Sequence, residues 1–379
     1  MKVILVCGTR PNFIKIASLL RAIKKFNEKQ GRLFKSILVH TGQHYDYEMS
    51  QIFFQDLELP KPDIYLGVGS GTHAEQTSKV MVGFEKTLLQ EKPELVIVVG
   101  DVNSTFAAAL AAVKLHIPVA HVEAGLRSYD LKMPEEVNRL LTDHVSDYLF
   151  TTSKLDDDNL KREGISADRI FLVGNIMVDS LLFSKQVAER SNIMSRLNLT
   201  RKNYALLTLH RPSNVDDKKS FTRIISALRQ IAQKIPVVFP AHPRTQKNIA
   251  AFGLNIFFEG EGIKLVEPQG YLDFLNLEMN SRFVITDSGG IQVETTALGI
   301  PCLTVLHTPV WLITYEQGTN TLVGDDGQQL TQEAFKILNG DNKVGICPEL
   351  WDGKTAKRIV AILARGYNRA GYAYKKEVS

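Results

Sequence analysis

Acidic side chains recur just after short apolar runs in the first half of the chain. Asp101 follows VIVVG, Glu123 follows VAHV, and Glu135 and Glu136 follow a proline beyond a loop that holds Arg127. Taken singly, each reads as a helix cap or a surface acid; Asp101 in GDVNST could close a turn through Ser104. Gathered at one sheet edge they crowd, and crowded carboxylates raise one another's proton affinity, as general acid/base chemistry requires. Two further segments suit anions. In Gly8-Thr9-Arg10-Pro11-Asn12-Phe13-Ile14-Lys15, Gly8 permits a tight turn and Pro11 suits the first turn of a helix. Arg10 and Lys15 then lie near a helix N-terminus, where backbone N–H groups favour negative charge. In Thr286-Asp287-Ser288-Gly289-Gly290-Ile291-Gln292-Val293-Glu294, Gly289 and Gly290 let a phosphate approach the backbone and Ser288 can donate to it. Glu294, one to two turns along, is placed to accept ribose hydroxyls. Gly67-Val68-Gly69-Ser70-Gly71 matches no dinucleotide fingerprint and reads as a mobile loop.

Among nine histidines, His210 follows ALLTL and precedes Arg211, His44 lies in TGQH and His242 in AHPR, each after an expected strand. His210 is the preferred functional histidine. No HExxH and no Cys/His spacing is present, so no metal site is expected. With no GxSxG, Ser288 is not read as a hydrolase nucleophile. Lys and Arg number 45 against 41 Asp and Glu, a balance of +4 that argues against a polybasic nucleic-acid binder. No stretch of 18 apolar residues suggests a membrane span. The opening MKVILVCGTRPN reads as a first strand rather than a signal segment. Cys7, Cys302 and Cys347 form no CxxC, and they read as reduced thiols of a cytoplasmic enzyme.

The elements that must position these groups are legible as alternation. Apolar runs at Val3–Cys7, Ile37–His40, Leu95–Val99, Val119–Val122, Tyr148–Thr151 and Ile170–Val173 read as strands of a first half. Ala205–Leu209, Val237–Pro240, Ile263–Val266, Phe283–Thr286 and Cys302–Leu306 read as those of a second. Helical spacing lies between them, as in Phe13–Phe26, Thr105–Leu115, Glu135–Val145 and Phe221–Lys234. Strand–helix alternation predicts an α/β fold of two doubly wound domains, 1–173 and 174–360, with a last helix over about 361–379 crossing back to the first.

Twelve segments, in order, resemble the non-hydrolysing UDP-N-acetylglucosamine 2-epimerases. They are GTRPNFIK, TGQHYD, GDVNST, HVEAGLRS, PEEVNR, SDYLFTTS, GNIMVD, LTLHRP, AHPR, YLDF, DSGGIQVETTALGIPC and EQGTNTLVG, from Gly8 to Gly324. The resemblance implies a GT-B architecture, two Rossmann-like domains with UDP in the cleft between them. It implies a homodimer, envelope polysaccharide synthesis, and a reaction without cofactor. In that reaction UDP leaves C1 as the C2 proton is removed; the 2-acetamidoglucal is reprotonated on its other face as UDP returns. By motif, Asp101, Glu123 and Glu135 resemble the acid/base carboxylates, and Arg10, Lys15 and His210 resemble diphosphate and sugar contacts. Ser288, Gly289 and Gly290 match the phosphate turn, Glu294 the ribose acceptor and Phe274 the uracil-side aromatic. Gln43, His44, Arg211 and His242 resemble positions that bind an activating UDP-GlcNAc. Asn12 stands where GTRPE has glutamate. His307–Glu316 lacks the family's arginine-bearing TERP stretch, and His307 is read as a partial substitute for the lost charge. HRPSNVD replaces the HRREN of regulated members. Alternatives are a hydrolysing epimerase, an epimerase of a modified UDP-sugar, a GT-B glycosyltransferase and a UDP-sugar binding protein without catalysis.

Overall fold

Strands whose residues are apolar on both faces must be covered on both faces, and this sets the architecture. The computed structural model describes residues 1–43, 60–260 and 262–377. It divides into two units, Met1–Ser180 with Glu349–Ser379, and Leu181–Pro348. In the first unit β1 (Lys2–Cys7), β2 (Lys35–His40), β3 (Ile64–Tyr65), β4 (Leu95–Val99), β5 (Val119–Ala124), β6 (Tyr148–Thr151) and β7 (Ile170–Leu172) pair in the order β3-β2-β1-β4-β5-β6-β7. In the second, β8 (Ala205–Thr208), β9 (Val237–Pro240), β10 (Ile263–Val266), β11 (Phe283–Thr286), β12 (Cys302–Thr304) and β13 (Asn320–Leu322) pair as β10-β9-β8-β11-β12-β13. Neighbouring strands run parallel in both sheets. Each order reverses once, between β1 and β4 and between β8 and β11, and ligands of doubly wound sheets bind beyond strand ends at such a reversal.

Ile4, Val6, Val96 and Val98 pack against Phe84, Leu88, Ala108 and Ala112 from the covering helices His73–Glu91 and Asn103–Lys114. Leu207, Phe239 and Ile285 pack against Phe221, Ile225 and Leu228 of the helix Lys218–Ala232. Each of the larger of these side chains, Val, Leu, Ile or Phe, contributes about 1.5–3 kcal/mol by leaving water. Every expected strand is present; β3 and β13, of two and three residues, are too short to carry a periodic signal. One expectation is overturned. The 67–71 glycine segment is tied down, since the N–H groups of Val68 and Gly69 each donate at 2.9 Å to the carbonyls of Thr41 and Gly42.

The unit boundary falls at Ser180, beyond the expected 173/174, and the returning segment starts at Glu349. Hydrogen bonds account for both. Ser180 Oγ meets Ser18 Oγ at 2.8 Å, which ties the start of the helix Ile176–Ala188 to the first unit. Asp179 accepts from the N–H groups of Thr355 and Ala356 at 3.0 and 2.8 Å and caps the last helix, Thr355–Glu377. Trp351 Nε1 donates to the Thr152 carbonyl at 3.0 Å.

Gly174, at φ +89°, lies against the returning segment; a β-carbon there would overlap the Leu350 carbonyl oxygen and stand 2.8 Å from its carbon. Gly164 has a similar φ of +83° with nothing within 4 Å of that position. Gly164→Ala should therefore cost about 1–2 kcal/mol of backbone strain alone. Gly174→Ala should cost about 3 kcal/mol or more, because a backbone clash adds to the strain. Urea unfolding of the two variants checks this; equal losses would contradict the contact.

Candidate active site

In each unit the chemistry gathers at the reversal of strand order. In the first, the turn after β1 and the turn after β4 lock together. The Thr41 and Ser104 hydroxyls meet at 2.8 Å where Gly8 has no side chain; a β-carbon on Gly8 would overlap Ser104 Oγ. Asn12 Oδ1 accepts from the N–H groups of Gly8 and Thr9, each at 3.2 Å, and its amide donates to the Val99 carbonyl at 3.0 Å. A carboxylate could not make that last bond. Asn12 is thus a tie between β1 and β4, and the departure from GTRPE has a structural use.

Glu123 is buried at the end of β5, where the pairing with β6 shifts register between Val122 and Ala124. Its φ is +79°, a left-handed conformation that costs a residue with a β-carbon about 1–3 kcal/mol. Such a bulge re-aims a side chain beside a site. Glu123 Oε1 lies 2.6 Å from Lys15 Nζ, and Glu123 Oε2 is buried without a hydrogen-bond partner. Burial lifts this carboxyl above its ordinary range; Lys15 opposes the lift, and the neighbouring Asp101 adds to it. Asp101 behaves in the opposite way. Its partial burial pushes upward, but Arg139 and Lys15 outweigh that and hold it below the ordinary range. Arg139 donates to Asp101 Oδ2 from Nε at 3.0 Å and Nη2 at 2.6 Å. Two acids one strand apart are therefore driven in opposite directions.

The other first-unit candidates fall into place around them. Glu135 is part-exposed on the first turn of the helix Pro134–Val145, while Glu136 is buried. Glu136 accepts from the N–H groups of Ser128 and Tyr129 and from Arg139 Nη1, all within 2.9 Å, which is a loop-holding role. Lys15 is buried and pairs with Glu123 within the first unit. Its place in the second turn of the helix Arg10–Gln30 aims it across the ends of β4 and β5. Arg10 opens that helix. Gln43 holds the start of the helix Asn103–Lys114, accepting from Ser104 N at 3.1 Å and Ser104 Oγ at 2.6 Å. His44 lies outside the described residues. Arg139, His121 and Asp143 were not singled out from the sequence, and Asn12 was noted only as a departure from GTRPE. The i, i+3 spacing of Glu136 and Arg139 was the one signal available.

In the second unit the organiser is Asp287, fully buried. It accepts from the N–H groups of His210 and Arg211, from Asn214 Nδ2, and from His210 Nδ1 at 2.9 Å. Burial pushes it up, but His210, Arg211 and Asn214 together hold it low. His210 thereby turns Nε2 away from Asp287, on a half-exposed ring. Arg211, expected at an activator site, donates from Nε to the Asp287 carbonyl at 2.9 Å and belongs to this turn. Ser288 precedes the helix Gly289–Leu298 with no side-chain cap bond, and Ser288, Gly289 and Gly290 are all part-exposed. A β-carbon at Gly289 would stand 3.1 Å from Trp311 Nε1.

Trp311, Val310 and Ile313 of the arginine-free stretch are buried, and His307 pairs with Asp325 at 3.2 Å. Arg244 pairs with Asp216. His242 is exposed and accepts from Arg244 N as the cap of the helix Pro243–Ala251. Phe274 packs, part-buried, on the cluster around Tyr204 and Leu206. Glu294 is buried and accepts from Tyr271 OH at 2.9 Å. Among the described residues, no group of three His, Cys, Asp or Glu could hold a metal ion.

Two doubly wound parallel units, one carrying opposed acids and the other a glycine turn on a buried aspartate, define an α/β enzyme of the GT-B-like class. The family described as UDP-N-acetylglucosamine 2-epimerase matches residues 25–364, and the chain belongs to it. The UDP-N-acetylglucosamine 2-epimerase of Methanocaldococcus jannaschii is 43% identical over 372 residues, covering 97% of this chain and 100% of the relative. The UDP-2,3-diacetamido-2,3-dideoxy-D-glucuronate 2-epimerase of Pseudomonas aeruginosa is also 43% identical, over 96% of this chain and 100% of its own. The crystal structure of the M. jannaschii enzyme in complex with UDP-GlcNAc and UDP superposes with a TM-score of 0.86, covering 96% of this chain and 100% of that one.

Glu278 is fully buried beside Glu294, and no N–H group donates to either of its carboxyl oxygens. Burial, then the Glu294 charge, raise it well above its ordinary 4.5. An acid so raised costs the fold nothing below its unfolded value and costs progressively more as pH rises through it. Glu278→Gln should thus be stabilised relative to the parent from about pH 5 upward, by up to about 1.4 kcal/mol per pH unit. Urea unfolding at pH 4.5, 6 and 7.5 checks it, and parallel stability–pH curves would contradict it.

Proposed function

We propose that this chain interconverts UDP-GlcNAc and UDP-ManNAc by eliminating UDP to 2-acetamidoglucal and adding it back. The observation that carries the reading is the opposed pair Asp101 and Glu123 in a member of this family. Carboxyls whose surroundings push their proton affinities apart supply a base and an acid at one pH. In one direction Asp101, ionised, takes the proton from C2 as the C1–oxygen bond breaks and UDP leaves. Glu123, lifted by burial, returns a proton to C2 on the other face as a diphosphate oxygen re-forms the bond to C1. Glu135, part-exposed at the helix start, is the third carboxyl proposed to touch the sugar. The Ser288 hydroxyl and the backbone N–H groups of Gly289 and Gly290 receive the diphosphate, with Arg10, Lys15 and His210 as further diphosphate and sugar contacts. Glu294 takes the ribose hydroxyls and Phe274 the uracil side. An activator role for Gln43, His44, Arg211 and His242 has weaker support, since Gln43 and Arg211 serve their own units' turns.

A second substrate class is supported by the P. aeruginosa relative, which is as similar as the M. jannaschii one and is named for a diacetamido uronate sugar. A homodimer is supported by exposed apolar side chains one turn apart on the helix Pro134–Val145, Val137 and Leu141, and by Val82 and Leu89 on His73–Glu91. No helix among the described residues is long and apolar enough to cross a membrane, in keeping with action in the cytoplasm on precursors of envelope polysaccharide.

Proton NMR in D2O with UDP-GlcNAc, and separately with the diacetamido uronate nucleotide, tests the reading. Deuterium should enter C2 as the epimer forms, with free glucal and UDP remaining minor. Asp101→Asn and Glu123→Gln should each slow exchange about 10²-fold or more. UDP affinity should stay within about twofold in both, because UDP lacks the sugar. No exchange with either sugar, or undiminished exchange in both variants, would overturn it.

A further inference from the structure

His121, on β5 with no exposed surface, is ringed by acceptors. Its Nδ1 lies 2.7 Å from Asp143 Oδ1, and its Nε2 lies 2.8 Å from the Gly100 carbonyl oxygen. A carbonyl cannot donate, and a neutral imidazole has one N–H. One of these two contacts would then set a lone pair against an oxygen unless a proton sat on Asp143. The surroundings of Asp143 oppose that proton. Its other oxygen takes Arg127 Nη1 at 2.7 Å and the Gly125 N–H at 3.1 Å, and Arg127 is itself buried. Burial pushes Asp143 up, but His121 and Arg127 outweigh it and hold the carboxyl low. Arg127 closes the network with a two-pronged contact to Glu163, both prongs at 2.7 Å. With His121 charged, the four groups carry two positive and two negative charges.

We infer that His121 is a positioning residue, a doubly protonated imidazolium held between Asp143 and the Gly100 carbonyl, and that it fixes the Gly100–Asp101 turn and adds a positive charge behind it. The turn is gripped on both sides. Gly100, at φ +69°, donates its N–H to the Val122 carbonyl at 3.0 Å and gives its own carbonyl to His121. A β-carbon on Gly100 would stand 2.9 Å from Lys15 Nζ, so the turn closes directly over the Lys15–Glu123 pair. Asp101 therefore has a cation from each element around it: His121 from β5, Arg139 from the helix Pro134–Val145 and Lys15 from the helix Arg10–Gln30. Glu123 is the anion beside it, and Asp143 and Glu163 lie behind His121. The inference rests on the proposed role of Asp101 for its effect on turnover, but not for its effect on the ring.

The ring is read directly by nitrogen-15 NMR of the full-length protein labelled at histidine, at pH 7.5, with His121 assigned by its loss in His121→Asn. Two protonated ring nitrogens are expected. One bare nitrogen would overturn the inference whatever the turnover. If His121→Asn does not fold, a single histidine spin system with both nitrogens protonated, coupled across its hydrogen bond to Gly100, serves as the assignment. Where the variant folds, its kcat should fall about 10-fold or more while KM changes less than about threefold. The acidic limb of its kcat/KM profile should move to higher pH, since Asp101 has lost a cation. Lower activity with an unmoved limb would mean that His121 is structural only. Absence of C2 exchange in the parent, with both ring protons present, would sink the function while leaving the charged ring in place.

Discussion

A lysine ammonium 2.6 Å from a buried glutamate, beneath a glycine turn, is the contact around which the first unit's candidate site is arranged. Removed from water, a lone carboxylate at Glu123 would be costly, and so would a lone ammonium at Lys15. Each makes the other tolerable, and the remaining oxygen of Glu123 is left without a partner. Replacing Lys15 by a neutral residue would strand a carboxyl on a strained backbone with no counter-charge. Replacing Gly100 by any residue with a β-carbon would press on the ammonium. The bulge in β5, the left-handed φ of Glu123 and the Gly100 turn serve one end: a glutamate kept dry beside an aspartate kept ionised.

The second unit solves a related problem with one aspartate. Asp287 is surrounded by donors from the turn after β8, so the two turns at the strand-order reversal are bound through a single carboxylate. Beyond it, Ser288, Gly289 and Gly290 at the start of the next helix are part-exposed. Trp311 is buried and packs beside Gly289, with its indole Nε1 nearest, on one side of that helix start.

What could be read from the residues, and what could not, follows from the range of each interaction. Strands buried on both faces announce themselves as apolar runs, and the acids and glycines after them mark the strand ends. That was enough to find Asp101, Glu123 and the Ser288–Gly290 turn. The pairing of Lys15 with Glu123 was not legible, because the two residues are 108 positions apart. The partners of Gln43 and Arg211 within their own units, Ser104 and Asp287, are likewise set by strand order and not by spacing. The glycine loop at 67–71 looked mobile because two backbone bonds to Thr41 and Gly42 have no signature in side-chain type. Asp287 lay within the motif that was singled out, yet a buried organiser and an exposed turn residue look alike until the β8 and β11 ends are seen side by side.

The central claim is that Asp101 and Glu123 hold their protons differently before any substrate arrives. Carbon-13 NMR of side-chain carboxyls in the ligand-free protein, labelled at Asp and Glu and titrated from pH 3 to pH 9, measures this most directly, with Asp101→Asn and Glu123→Gln providing assignments. The account predicts that Asp101 is ionised before an ordinary aspartate would be, and that Glu123 keeps its proton to higher pH than an ordinary glutamate. Titration of both in the ordinary carboxylate range, or in the reverse order, would contradict it.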